Sequence, residues 1–114
     1  MTLVFLSLGS NIGRRKHITA GLNKLNALFG ALKLSPVYES EPVGFQGKCF
    51  YNLVVEIQCD LPLSELSLCL KKIEDENGRK RNGPKFSPRT LDIDILTFGN
   101  LVGVHEGIEL PRPE

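Results

Sequence analysis

The sequence predicts a two-layer α+β sandwich, with one antiparallel sheet and both helices on one of its faces. Three observations predict it. Two stretches carry apolar residues at helical spacing, and four read as extended segments. Along the chain these segments run β-α-β-β-α-β.

Thr2 to Leu8 is a short apolar run ending at Gly9-Ser10-Asn11, a buried strand entering a tight loop. Ile18, Leu22, Leu25 and Phe29 follow at helical spacing, so Lys16 to Phe29 reads as an amphipathic helix closed by Gly30. Ala31 to Tyr38 is an edge-like strand, because Pro36 lies inside it and proline cannot donate to a ladder. Glu41 to Lys48, with Pro42, Gly44 and Gly47, is a loop. Phe50 to Cys59 alternates: Leu53, Val55, Ile57 and Cys59 share one face, while Phe50, Asn52, Val54 and Glu56 share the other. Pro62 opens a second helix with Leu63, Leu66, Leu70 and Ile73 as its buried stripe, ending near Asn77-Gly78. Gly78 to Pro88 is a basic loop, and Thr90 to Phe98 is the last strand, turned by Gly99-Asn100. The remainder to Glu114 carries little pattern. This order is the split βαβ, ferredoxin-like arrangement, which by itself specifies no function.

A chain of 114 residues is expected to form one domain, 1–114, with one two-layer core. Its net charge of +1 implies no bulk electrostatic partner, so neither a nucleic acid nor a membrane surface is expected. The apolar run Leu3-Val4-Phe5-Leu6 is too short to span a bilayer. Cys49, Cys59 and Cys69 are odd in number and evenly spaced, which fits neither a disulfide framework nor a CxxC metal site. Cys59 and Cys69 read as small buried apolar residues, and a reducing, cytoplasmic setting follows. His17 and His105 have no metal-ligand spacing and read as surface residues.

Asp92 and Asp94 carry the sharpest chemical signal. Two residues apart on a strand, they share a face, while Leu91, Ile93 and Ile95 share the other and enter the core. Neighbouring carboxylates repel unless a hard cation sits between them. Mg²⁺ held by one or two carboxylates plus substrate phosphates is the usual pattern. The plain alternative is an exposed sheet face that happens to carry two acids. The basic segment preceding them shifts that balance: Lys71, Lys72, Arg79, Lys80, Arg81, Lys85 and Arg89 are seven of the chain's 14 Lys and Arg. A charge run is ordinarily a solvated face. Here it leads directly into the acidic pair, the juxtaposition a metal-bound triphosphate requires. Phe50 beside Asn52 can stack on a flat heterocycle and pair with its amide-like edge; the alternative is an aromatic packed on a sheet face. Tyr51 points the other way and is structural. Gly9-Ser10-Asn11 is either a simple strand-ending turn or a set of backbone amides presented to a ligand.

Gly9-Ser10-Asn11, Pro42-Val43-Gly44, Phe50-Tyr51-Asn52, Glu74, Arg79, Arg81 and the run Pro88-Arg89-Thr90-Leu91-Asp92-Ile93-Asp94 occur in one order over about Thr2 to Pro111. In this the chain resembles the 6-hydroxymethyl-7,8-dihydropterin pyrophosphokinase family. The resemblance implies transfer of diphosphate from ATP to 6-hydroxymethyl-7,8-dihydropterin, giving the pterin diphosphate and AMP in folate biosynthesis. It implies that Asp92 and Asp94 bind two Mg²⁺ ions and, with Arg81 and Arg89, carry catalysis. Lys71, Glu74, Arg81, Lys85, Phe86, Arg89, Ile95 and Arg112 would meet the nucleotide. Ser40, Val43, Gly44 and Asn52 would line the pterin pocket, with Phe50 stacked on the ring and Asp92 at the hydroxymethyl group. Gly44–Lys48 and Gly83–Ser87 would be lids that exclude water.

The chain departs from the family pattern at several positions. Arg112 stands where a histidine is usual, Lys85 where arginine is frequent, Phe86 for tryptophan, Ser87 for glycine and Phe50 for tyrosine. Family members also continue into a C-terminal segment bearing a second aromatic and another arginine, which 1–114 is expected to lack. A non-catalytic nucleotide- or pterin-binding relative is therefore an alternative. A third class, a ferredoxin-like RNA-binding module using the basic loop, would need several exposed aromatics on the central strands. Only Phe50 qualifies.

Overall fold

Period-two alternation puts Val4, Leu6 and Leu8 on one side of the first strand, each without exposed surface. The computed structural model, which describes residues 1–41, 47–78 and 90–112, turns this strand into the second rung of a sheet. In chain order the elements are β1 (Thr2–Ser10), α1 (Arg14–Phe29), β2 (Lys33–Leu34), β3 (Tyr38–Ser40), β4 (Phe50–Cys59), α2 (Leu63–Glu76), β5 (Asp92–Phe98), β6 (Gly103–His105) and β7 (Ile108–Leu110). β1 pairs antiparallel with β4 on one side and β5 on the other, and β2 and β3 both pair antiparallel with β4. This is the expected ferredoxin-like sheet.

The predicted stripes meet on one face of that sheet. Ile18 and Leu25 of α1, and Leu63, Leu66, Leu70 and Ile73 of α2, are buried against Leu53, Val55, Ile57, Cys59, Leu91, Ile93 and Ile95. Leu22 and Phe29 pack at the margin of the same cluster. Fully burying one such side chain stabilises the fold by about 1.5–3 kcal/mol. Burial pushes the Cys59 thiol above its ordinary pKa, so this cysteine stays protonated. Cys69, expected to be buried, is only half-buried on the flank of α2. Among the described residues no helix is long and apolar enough to cross a membrane.

Several further features differ from the sequence expectation. The edge strand is two strands: Lys33 opposes Glu56 and Leu34 opposes Val55, but Tyr38 opposes Asn52, a slip of one residue. Pro36 sits in the break. There the Ser35 N–H donates to the Val54 carbonyl (2.9 Å), and the Val54 N–H donates to the Ser35 Oγ (2.8 Å). A side chain thus takes the place of a ladder carbonyl. Next, α1 begins at Arg14 rather than Lys16, after Gly13 in the left-handed region. The last strand of the sheet starts at Asp92, two residues beyond the expected Thr90.

Finally, the weakly patterned tail contains the β6–β7 hairpin. His105 opposes Ile108 across the two-residue turn Glu106-Gly107, and both turn residues have positive φ (52° and 74°). That is the turn geometry that matches strand twist. Glu-Gly is a weaker turn signal than Asn-Gly, and three-residue strands show too little alternation to be read. The hairpin brings Leu110 into the core, where it is 2 % exposed. His17 is not a simple surface residue either: its Nδ1 lies 3.0 Å from the Asn77 Oδ1, joining α1 to the end of α2.

Candidate active site

The strand register builds the site on the helix-free face. Gly9 of β1 opposes Asn52 of β4 on one side and Asp92 of β5 on the other; one step along, Ser7 opposes Val54 and Asp94. Directly opposed residues project to the same side of a sheet. Asn52 and Asp92 therefore flank Gly9 on one face, two interstrand steps or about 9–10 Å apart.

On the β4 side the Asn52 carboxamide is held in place. Its Nδ2 donates to the Ser40 Oγ at 2.8 Å, with a longer contact of 3.4 Å to the Phe50 carbonyl. Gly9 leaves the room this arrangement uses. A Cβ there would lie 3.1 Å from the Asn52 Oδ1 and 3.7 Å from the Phe50 ring. Ser40 is brought to Phe50 and Asn52, which the strand alternation already placed on one face, and Gly9 is the residue whose part sequence reasoning left open. Two long-range bonds fix the start of β4. The buried Asn11 donates from Nδ2 to the Lys48 carbonyl (3.1 Å), and Arg14 donates from Nη1 to the Cys49 carbonyl (3.0 Å). The Arg14 guanidinium also lies 3.9 Å from the centroid of Tyr51, which sits on the helix side as expected.

On the β5 side, Asp92 and Asp94 are half-buried, while Leu91, Ile93 and Ile95 enter the core at 0, 6 and 5 % exposure. β5 is the edge of the sheet. A cavity of about 210 Å³ lies along that edge, bordered by Lys71 and Glu74 of α2, the stretch Asp92 to Ile95, Ile108 of the hairpin and Arg112. Every described residue assigned to the nucleotide from sequence borders it. Ile95 does so from a strand position whose side chain lies in the core. Arg112 reaches the cavity because β5 bulges: Leu6 opposes Ile95 but Phe5 opposes Thr97, leaving Leu96 extra. The Leu96 carbonyl accepts the Arg112 N–H at 2.8 Å, and the Arg112 guanidinium lies 3.9 Å from the Asp94 Oδ1. With both side chains partly exposed, this ion pair adds little stability. It does set a fixed cation beside the carboxylate pair. Glu74 is 4 % exposed, and its Oε2 accepts the Ile93 N–H at 2.7 Å.

Val43 and Gly44, and Arg79, Arg81, Lys85, Phe86 and Arg89, lie outside the described residues, as do most of the first candidate lid and all of the second. The donor set that is described fits Mg²⁺. Two carboxylates on one face supply hard oxygen ligands, and a magnesium ion bound by one or two carboxylates completes its shell with phosphate and water. Among the described residues no cluster of three or more metal-ligating side chains forms, so these residues alone offer no closed cage.

Comparison with known proteins decides which family this geometry belongs to. The family model described as 7,8-dihydro-6-hydroxymethylpterin-pyrophosphokinase matches residues 5–114. This chain belongs to that family. Pyrophosphokinases of the family include the 2-amino-4-hydroxy-6-hydroxymethyldihydropteridine pyrophosphokinase of Aquifex aeolicus (strain VF5), 39 % identical over 115 residues that cover 99 % of this chain and 71 % of the relative. The protein of the same name from Bacillus subtilis (strain 168) is 36 % identical, over 97 % of this chain and 68 % of the relative. A folate synthesis bifunctional protein of Arabidopsis thaliana is 35 % identical over 96 % of this chain, which amounts to 23 % of that longer protein. The fold is thus that of a pyrophosphokinase domain. Neither the hairpin that carries Ile108 to the site nor the bulge that places Arg112 left a readable signal in sequence.

Proposed function

We propose that this chain transfers a diphosphate from ATP to 6-hydroxymethyl-7,8-dihydropterin, giving the pterin diphosphate and AMP in folate biosynthesis. The row Asn52–Gly9–Asp92 carries this reading. It offers a flat floor about the length of a fused bicyclic ring, with an amide-pairing group at one end and a carboxylate at the other. Phe50 stacks on the ring, and Asn52, oriented by Ser40, pairs with its amide edge. The hydroxymethyl group then lies at Asp92, next to the nucleotide cavity. Two Mg²⁺ ions at Asp92 and Asp94 would supply neutralisation of the charge on the phosphate oxygens. Lys71 and Arg112, with Arg81, Lys85 and Arg89 of the basic segment, hold the remaining phosphate oxygens.

The hydroxymethyl oxygen attacks the β-phosphorus. The bond from that phosphorus to the oxygen bridging the α-phosphate breaks, AMP leaves with that oxygen, and the hydroxyl proton passes to solvent. Catalysis is chiefly positioning and charge neutralisation. The reduced cysteines and small soluble substrates fit a cytoplasmic site of action.

The test is AMP production from MgATP with and without 6-hydroxymethyl-7,8-dihydropterin. Pterin-dependent AMP release is the expected result. Tight binding of an unreactive ATP analogue without AMP release from the folded chain would instead assign a binding relative. Arg89→Ala is expected to raise the KM for ATP about 10-fold or more, the scale of one charge-assisted hydrogen bond, with little change in the KM for pterin. Equal losses on both substrates would remove Arg89 from the nucleotide side.

A further inference from the structure

Glu74 is the one charged side chain among the described residues that is fully inside the protein, at 4 % exposure. A buried carboxylate is costly unless strong hydrogen bonds hold it. One bond it makes is specific in position: its Oε2 accepts, at 2.7 Å, the N–H of Ile93, the residue between Asp92 and Asp94. Among the described strands β5 is the edge, paired with β1 on its other side. An edge strand's outward amides have no ladder partner from the sheet, and such strands twist and slip more readily than central ones. At this point a side chain of α2 supplies the acceptor that a further strand would have supplied. The outer edge of the same strand is met again four residues after Asp92, where the Leu96 carbonyl takes the Arg112 amide. The acidic pair is therefore held from outside at two points, at its centre by α2 through Ile93 and, two residues after Asp94, at the bulge by Arg112.

We infer that Glu74 is a positioning residue for the carboxylate pair. Through the Ile93 amide it fixes the twist and depth of the Asp92–Asp94 segment, and so sets the spacing and aim of the two carboxylates toward a divalent cation. Its task is to accept a hydrogen bond, not to touch the nucleotide. This rests on the proposed function for the identity of the cation and nucleotide, but its consequence can be read without turnover.

Two substitutions separate the roles. Glu74→Gln keeps the length and an acceptor oxygen but removes the charge. Glu74→Asp keeps the charge but is one methylene too short to reach Ile93. A positioning role predicts that Glu74→Gln stays close to the parent, within about threefold, in the Mg²⁺ concentration needed for half-maximal binding of an unreactive ATP analogue. Glu74→Asp should need about 10-fold more Mg²⁺. Metal-free AMP should bind both variants as it binds the parent. Amide exchange at Ile93 should accelerate at least 10-fold in Glu74→Asp and stay slow in Glu74→Gln.

The opposite order, with Glu74→Gln impaired and Glu74→Asp intact, would overturn the inference and assign the carboxylate charge to the nucleotide. So would weakened binding of metal-free AMP in either variant. Unchanged Ile93 exchange in Glu74→Asp would overturn it as well. Failure of the pyrophosphokinase reading shows separately, as absent AMP release by the unsubstituted chain.

Discussion

Asp94→Ala is expected to lower pterin-dependent AMP release by a factor on the order of 10² to 10³, the scale found when one preorganised electrostatic group is removed. Asp92→Ala should do the same. Both side chains lie on the helix-free face, opposite Ser7 and Gly9, and neither belongs to the core cluster. Removing one of two neighbouring like charges also relaxes their repulsion in the metal-free protein. The melting temperature should therefore change by only a few degrees, even though Asp94 loses its 3.9 Å contact with Arg112. Activity assays across Mg²⁺ concentrations, paired with thermal melts, check this. A large fall in melting temperature for either variant would make the carboxylates structural and remove the metal assignment.

Gly9→Val should raise the KM for the pterin 10-fold or more while leaving binding of the ATP analogue within about twofold of the parent. A Cβ at this position already approaches the Asn52 Oδ1 to 3.1 Å, and the two valine methyls reach further, into the Asn52 carboxamide and the Phe50 ring. Gly9 is not among the glycines with positive φ, so the backbone accepts a side chain there. Valine's preference for strands offsets part of this crowding, so the protein should stay folded with a melting temperature lowered by a few degrees. A protein that keeps its fold and its ATP-analogue binding while losing the pterin site is the signature to look for by KM measurement and thermal melting. Parallel loss on both ligands would mean that the register row does not divide the site as described.

How much of this was legible beforehand depends on the range of the interaction. The stripes of Ile18, Leu22, Leu25 and Phe29, and of Leu63, Leu66, Leu70 and Ile73, were readable because a helix repeats every 3.6 residues whatever it packs against. The faces of β4 and β5 were readable for the same reason, with period two, so Asp92 and Asp94 could be placed together and Phe50 with Asn52. Pro36 marked the edge of the sheet correctly. It did not reveal the split into β2 and β3, because the repair uses the Ser35 hydroxyl on a strand distant in sequence. The β6–β7 hairpin escaped because its three-residue strands carry no measurable alternation.

The sequence by itself determined the sandwich, the faces that β4 and β5 bury, the acidic pair and the family resemblance, since all of these are local periodicities or contiguous motifs. Only the tertiary structure decided that Gly9 lies between Asn52 and Asp92, that a bulge at Leu96 brings Arg112 to Asp94, and that Glu74 holds the Ile93 amide. Each of these depends on strand register or on a hydrogen bond between segments far apart in the chain. Register is set by the sum of core contacts across the sheet, and no local pattern encodes that sum.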